Sequence, residues 1–402
     1  VATIFQLDGF EHGNATSGVA GIYSSISGAV TNVTSPVRTG LRSLQILTVG
    51  ASQGVQYSGI ASNFVTTAFY LRFEAFPGAT SKILRLLNAS GNGYMRCSSA
   101  GQLSIIVGTG SAVNLGSALS TSTWYRIVVE LDTSTGTASL RASVNNGTDA
   151  TATNAQASAN TTAVQIGPDG ADTVTFYSDD WLIATVDGDY EEIKGWTSHS
   201  VQSLIPSADG THSITTAGNF DSFTATAFDN TTTNGNTFIA HRPLQLANTA
   251  NQVIRQDVIA ASDYMEFTLE NLSAGDSTVE DVRAYTAVVY SSATGTPAAE
   301  VRLLLSDNTE VLTTGSISVK NSTEDPGVTL TAYKRMTIPP AGGWDTTKVN
   351  GLKYRIGFDD LAADANFIDL MVEVALFTPA AGAATSLPFK PATRRMNSLL
   401  VR

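Results

Sequence analysis

Apolar and polar positions alternate along most of this chain. In TWYRIVVELD, residues 123–132, Tyr125, Ile127, Val129 and Leu131 point one way, and Arg126, Val128 and Glu130 point the other. In AFYLRFEAF, Phe69, Leu71 and Phe73 share one face, opposed by Tyr70, Arg72 and Glu74. A period of two is the signature of a β-strand, and this form of it predicts antiparallel sheets with one face buried and the other mostly wet. Turn signals punctuate the runs at ASGNGY, TSTGT and NNGT, and Asn146-Gly147 predicts a hairpin turn, since both positions accept positive φ. No helical periodicity extends over a useful length.

The same grammar restarts after about residue 190. DYMEFTLENL directs Met265, Phe267 and Leu269 inward, and GLKYRIGFDD does the same for Leu352, Tyr354, Ile356 and Phe358. FIDLMVEVALF sets Ile368, Leu370, Val372, Val374 and Leu376 on one face. Between the two sets lies TVDGDYEEIKGW, a polar, acid-rich segment that reads as a boundary. The predicted class is all-β: two antiparallel, jelly-roll-like β-sandwich domains, over 1–190 and 191–378, plus an extended C-terminal arm over 379–402.

Composition supports that picture. A chain of 402 residues is long for one core, and 42% hydrophobic residues with only 14% charged is not a disorder signature. The net charge of −12 argues against nucleic acid or an anionic membrane as partner of the main body. No run approaches the roughly 18 apolar residues of a membrane span. Cys97, the single cysteine, excludes an intrachain disulfide and reads as a small strand residue. The start, VATIFQLDGFEHG, lacks the basic and apolar regions of a signal peptide, so either a leader has been removed or the protein is made in a cytoplasm; the second is expected, and the Asn-x-Ser/Thr triplets then carry no glycosylation meaning.

The end of the chain breaks the acidic trend. SLPFKPATRRMNSLLVR holds Lys390, Arg394, Arg395 and Arg402, and no acid follows Glu373. Pro388 and Pro391 forbid a regular helix or central strand in its first half. A basic, extended, Leu-ended arm suits docking onto an acidic neighbouring subunit. Arg394 and Arg395 would supply forked hydrogen bonds, and Leu399, Leu400 and Val401 would enter a groove or add a strand. Three arginines and one lysine make a weak nucleic-acid footprint in so acidic a chain.

Four motifs in order, LDGFEHG, VRTGLRSLQIL, STSTWYRIVVELD and YSDDWLIATV, resemble the laminin-G-like, concanavalin-type jelly roll. Their combination with DYEEIKGW…SLIPSADGTHS is similar to tailed-bacteriophage virion structural proteins, over roughly the first 215 residues. GWDTTKVNGLKYRIGFDD…IDLMVEVAL resembles the second domain of those proteins more loosely. The resemblance implies a virion component made in the host cytoplasm. That component is a capsid decoration (cement) protein or another surface part, assembled with copies of itself and neighbouring capsid or tail proteins. The alternative is a glycan- or receptor-binding tail adhesin.

No constellation predicts an enzyme. His12, His199, His212 and His241 have no metal-ligand spacing, and neither a Gly-x-Ser-x-Gly elbow nor a His-Glu-x-x-His motif occurs. In the jelly rolls that the N-terminal pattern resembles, a Phe-Glu near the first strand and an Asp near the last can hold a structural calcium. That resemblance implies Asp8, Glu11 and Asp180 as ligands, a set of hard oxygens suited to the ion. The plain alternative is that Asp8 and Asp179 cap turns while Glu11 pairs with Arg42. Asp359, Asp360 and Asp364 read as a solvated acidic loop. Trp181 and Trp196 are candidate glycan platforms, with Tyr190 and Trp344 nearby in kind; the alternative is that Trp181 packs and Trp196 wedges the hinge.

Overall fold

The computed structural model describes residues 2–10, 23, 25–40, 42–47, 54–168, 174–204, 206–209, 220–222, 254–256, 264–272, 278–290, 298–312, 317–318, 331–358 and 365–379. The protein is all-β, and the described residues form four antiparallel sheets. An eight-stranded sheet runs in the order Ala150–Ala155, Thr137–Val144, Tyr125–Asp132, Phe64–Ala75, Thr175–Ala184, Ser43–Leu47 and Ala29–Val33, with Ile4–Asp8 also paired to Thr175–Ala184. A seven-stranded sheet faces it, in the order Val113–Asn114, Leu103–Val107, Gly93–Cys97, Ser81–Asn88, Thr161–Ile166, Gly54–Ser62 and Ser25–Ser27. The chain crosses from one sheet to the other between Gly54–Ser62 and Phe64–Ala75 and back again at Ser81, the crossing habit of a jelly roll.

The alternation read from the sequence explains why these strands pair face to face. Phe69, Leu71, Phe73, Ile127, Val129, Leu131 and Phe176 project from the eight-stranded sheet into one core with Leu84, Leu86, Met95, Ile105, Val164 and Ile166 from the other. Cys97 is buried there as a small apolar residue, and burial pushes its thiol up to about 12, so it is not a nucleophile. Each such large side chain contributes on the order of 1.5–3 kcal/mol by leaving water.

One turn falls a residue earlier than its sequence signal. After Thr137–Val144, Asn145 and Asn146 carry the positive φ values, 49° and 59°, and Gly147 N–H closes the turn on Val144 O at 2.9 Å. Asparagine tolerates this region, and both side chains are held: Asn145 Oδ1 accepts from Arg126 N at 2.9 Å, and Asn146 Nδ2 donates to Trp196 O at 2.7 Å.

Two further sheets follow. One has six strands, centred on the long strands Ala365–Pro379 and Thr278–Tyr290, with Trp196–Leu204 paired to Ala365–Pro379. The other has five, in the order Pro206–Asp209, Tyr264–Leu269, Lys353–Phe358, Ala298–Leu304 and Ile317–Ser318. Phe267, Leu269, Leu352, Tyr354, Val372, Val374 and Leu376 are buried as the alternation predicts.

The acid-rich segment between the two sets is a helix, Asp189–Gly195. At seven residues it is too short to show a period, yet its acids Asp189, Glu191 and Glu192 fall in the first turn and Lys194 in the last, as the helix dipole favours. Tyr190 and Ile193 pack with Ala68, Val128, Leu182 and Ala184, small or apolar residues on the outer face of the eight-stranded sheet. That face was expected to be wet. Over the central strands it is instead covered, and the polar residues Tyr70, Arg126 and Glu130 there are buried.

Candidate functional site

A group of buried ionisable residues gathers where the outer face of the eight-stranded sheet meets the strand Trp196–Leu204. The geometry begins with an irregularity: pairing between Thr175–Ala184 and Phe64–Ala75 shifts register between Asp179 and Leu182. Asp180 sits there with φ of 51°, a left-handed conformation that costs an ordinary residue about 1–3 kcal/mol and persists only when its surroundings hold it. They do. Asp180 Oδ1 accepts from Val201 N at 2.6 Å and Thr39 Oγ1 at 2.5 Å, and Oδ2 pairs with Arg38 Nη1 at 3.0 Å. Asp179 turns toward the same loop: its Oδ2 accepts from Arg38 N at 2.9 Å, and its Oδ1 from Asp180 N at 2.9 Å.

Arg38 lies over the Tyr70 ring, its guanidinium carbon 3.6 Å from the centroid, and donates to the Tyr70 hydroxyl at 3.0 Å. His199 packs against the same ring. Its Nδ1 accepts from Arg126 Nε at 3.0 Å, and its Nε2 lies 2.8 Å from Asp180 O. Arg126 completes its fork on Asn146 Oδ1 and Ile193 O. One guanidinium thus binds a strand, a turn and the end of the linking helix.

The electrostatics follow from burial. It holds His199 well below the usual imidazole range, helped by the Arg126 charge, and lowers Arg126 to about 10. Burial, then the Asp180 charge, pushes the Asp179 carboxyl well above the usual carboxylate range. Asp180 is pushed up by burial too, with Arg38 acting against it.

A second network lies in the core. Asp8 Oδ2 accepts from the hydroxyls of Tyr23, at 2.8 Å, and Tyr57, while Oδ1 accepts from Phe10 N at 2.7 Å. Burial, then the Asp8 charge, raises both tyrosines well above their ordinary value. The neighbouring Gly9 explains the glycine of LDGFEHG: a Cβ there would stand 2.8 Å from Val201 O. Its N–H donates to Glu373 Oε1 at 3.2 Å. Arg283 makes a similar bridge, binding Asp281 Oδ2 at 2.6 Å and reaching Ile4 O.

Several expectations need correction. The strands carrying Asp8 and Asp180 are neighbours, with Asp8 opposite Trp181, but the two carboxylates serve separate networks. Asp8 binds the tyrosines and Asp180 binds Arg38, Thr39 and Val201, so these two expected calcium ligands belong to different networks. Glu11 lies outside the described residues. Among the described residues no group of three or more His, Cys, Asp or Glu is placed to hold a metal. Trp181 and Trp196 are buried, 1% and 3% exposed, and are not stacking platforms. The Trp181 indole donates to Thr67 Oγ1 at 2.7 Å within a cage of Phe10 and Tyr57, and Trp196 stacks on Phe377 at 4.6 Å. Tyr190 and Trp344 are buried as well. The arm residues Lys390, Arg394, Arg395, Leu399, Leu400 and Arg402 and the acids Asp359, Asp360 and Asp364 lie outside the described residues, as do His12, His212 and His241.

Arg126 and His199 were missed as a pair: Arg126 stands at an ordinary polar position of the alternation, and no sequence signal pointed to His199 as its partner.

No family model matches the chain, and no curated protein matches it. Similar solved structures include Trypanosoma rangeli sialidase in complex with sialic acid, 13% identical with a TM-score of 0.31 over 43% of this chain and 32% of that one. The N-terminal CBM22-1-CBM22-2 tandem domain of Paenibacillus barcinonensis Xyn10C is 11% identical with a TM-score of 0.28, over 93% and 98%. A SAP-like pentraxin from Limulus polyphemus is 14% identical with a TM-score of 0.30, over 40% and 84%. The chain spans about a third of the sialidase chain that it matches. At such identities and scores these likenesses bear on neither activity nor ligand.

Proposed function

We propose that this chain is a non-enzymatic structural protein of a tailed-phage particle, a capsid decoration or other surface component docked by its C-terminal arm. The observation that carries the reading is how the described ionisable groups are used. Arg126 and Asp180 are spent on His199 and Val201, binding the first pair of sheets to the second, while Asp8 is spent on Tyr23 and Tyr57, and Asp179 and Arg38 on bonds within the first pair. Catalysis needs titratable groups converging in a cleft, whereas a building block gains from joining its parts. The ordered motifs of the N-terminal half and the basic composition of residues 386–402 support the same reading. A glycan-binding adhesin would have to use surfaces other than Trp181 and Trp196.

The test is attachment. A chain ending at Ala380, beyond the strand Ala365–Pro379, is expected to melt where the full chain does and to lose co-sedimentation with particles that lack this protein. Equal attachment by both chains would remove the arm from the account. Failure of the full chain to attach to any particle preparation would remove the virion reading itself.

A further inference from the structure

The two ring nitrogens of His199 are committed to opposite roles. Nδ1 receives the Arg126 Nε–H at 3.0 Å and therefore carries no proton, and Nε2, 2.8 Å from a carbonyl oxygen that can only accept, must carry one. The neutral Nε2–H tautomer is the only form that satisfies both contacts. The ring is 1% exposed and its strand, Trp196–Leu204, pairs with Ala365–Pro379 of the six-stranded sheet. The hydrogen bonds of His199 and Val201 to Asp180 and Arg126 tie that sheet to the first one.

We propose that His199 makes this junction an acid-sensitive latch. A proton taken up at Nδ1 removes the acceptor of the Arg126 Nε–H and sets an imidazolium against a guanidinium, releasing Trp196–Leu204 from the outer face of the eight-stranded sheet.

Other groups face the ring from each packed element: Arg126 from Tyr125–Asp132, Tyr70 from Phe64–Ala75, Asp179 and Asp180 from Thr175–Ala184, and Arg38 from the loop after Ala29–Val33. Tyr70 is raised by burial and Arg126 stands at about 10, so neither changes charge between pH 7.5 and 5.5. The aspartates act in the opposite sense to His199. Their raised carboxyls bind a proton more readily in the closed junction, so acid favours closure through them. For His199, whose affinity for a proton is lowered by closure, stability is fully present above about pH 6.5 and lost as pH falls below it. Uptake of one proton on opening multiplies the opening constant about tenfold between pH 7.5 and 5.5.

The experiment is hydrogen exchange of the full chain, read by mass spectrometry and corrected for the intrinsic pH dependence of exchange. Peptides within 196–204 are expected to lose about tenfold in protection from pH 7.5 to 5.5, while those within Gly93–Cys97 of the far sheet hold theirs. His199→Gln keeps an acceptor for Arg126 and a donor for Asp180 O but binds no proton, so its protection at 196–204 should hold or rise as pH falls. Unchanged protection in the wild-type chain overturns the latch even where the variant does not fold. So does an equal loss in wild type and variant, which would mean that a group other than His199 opens the junction.

Discussion

The central strands of the eight-stranded sheet are buried on both faces, yet the two faces are held by different physics. On the inner face, Phe69, Leu71, Phe73, Ile127, Val129 and Leu131 meet the opposite sheet, and burial of apolar area dominates. On the outer face, Ala68, Val128, Leu182 and Ala184 leave room for the linking helix, and Arg126, Glu130 and Asp180 sit among them. Those charges are kept from water only because each has partners. Glu130 receives Arg141 at 2.8 Å and Thr66 Oγ1 at 3.2 Å, and Arg141 reaches on to Glu191 and lies over Tyr190. An apolar face tolerates approximate shape; a polar one requires every partner at once, because an unpaired buried charge costs several kcal/mol.

The comparison can be broken at several points. Phe176→Ala on the inner face should cost about 3–5 kcal/mol in chemical denaturation, as a cavity in a packed core does. A loss below ~1 kcal/mol would mean that the core collapses around the gap. Arg126→Met keeps the stem and removes the fork, leaving His199, Asn146 and Ile193 O without it. The expected loss is about 2–3 kcal/mol, with exchange increasing first in Trp196–Leu204. If exchange instead rose evenly over the whole chain, the outer face would not be a separate element of the fold. Gly9→Ala drives a methyl against Val201 O and should cost about 1–3 kcal/mol while leaving the inner core intact by near-ultraviolet dichroism. Glu191→Gln touches the half-buried end of the Arg141 chain, where Glu191 is largely exposed. Its effect on the melting midpoint should correspond to about 0.5 kcal/mol or less, and vanish at high salt.

Much of the inner face was legible in the sequence, because alternation reports which side of a strand is apolar. The outer face was not. Polar residues at every second position read the same whether they meet water or another polar surface. The expectation of a wet side for Tyr70, Arg126 and Glu130 failed for that reason. Asp8 and Asp180 stood out in the sequence as acids, but a carboxylate that accepts two tyrosine hydroxyls and one that receives an arginine look alike before folding. Trp181 and Trp196 posed the same difficulty: an aromatic ring near a turn can face a ligand or fill a wedge, and only packing decides which.

The sequence alone determined that this chain is a set of antiparallel sheets, that Phe73, Ile127, Val129 and their like form the interior, and that an acid-rich segment separates two runs of strands. Those follow from period-two patterning and composition, properties that each segment carries by itself. Tertiary structure decided the rest: the seven-residue helix, the turn at Asn145-Asn146 in place of Asn146-Gly147, and the joining of Asp180, Arg38, His199 and Arg126 from four separate stretches of chain. A hydrogen bond between residues far apart in sequence leaves no period behind, so its partners become visible only once the strands between them have paired.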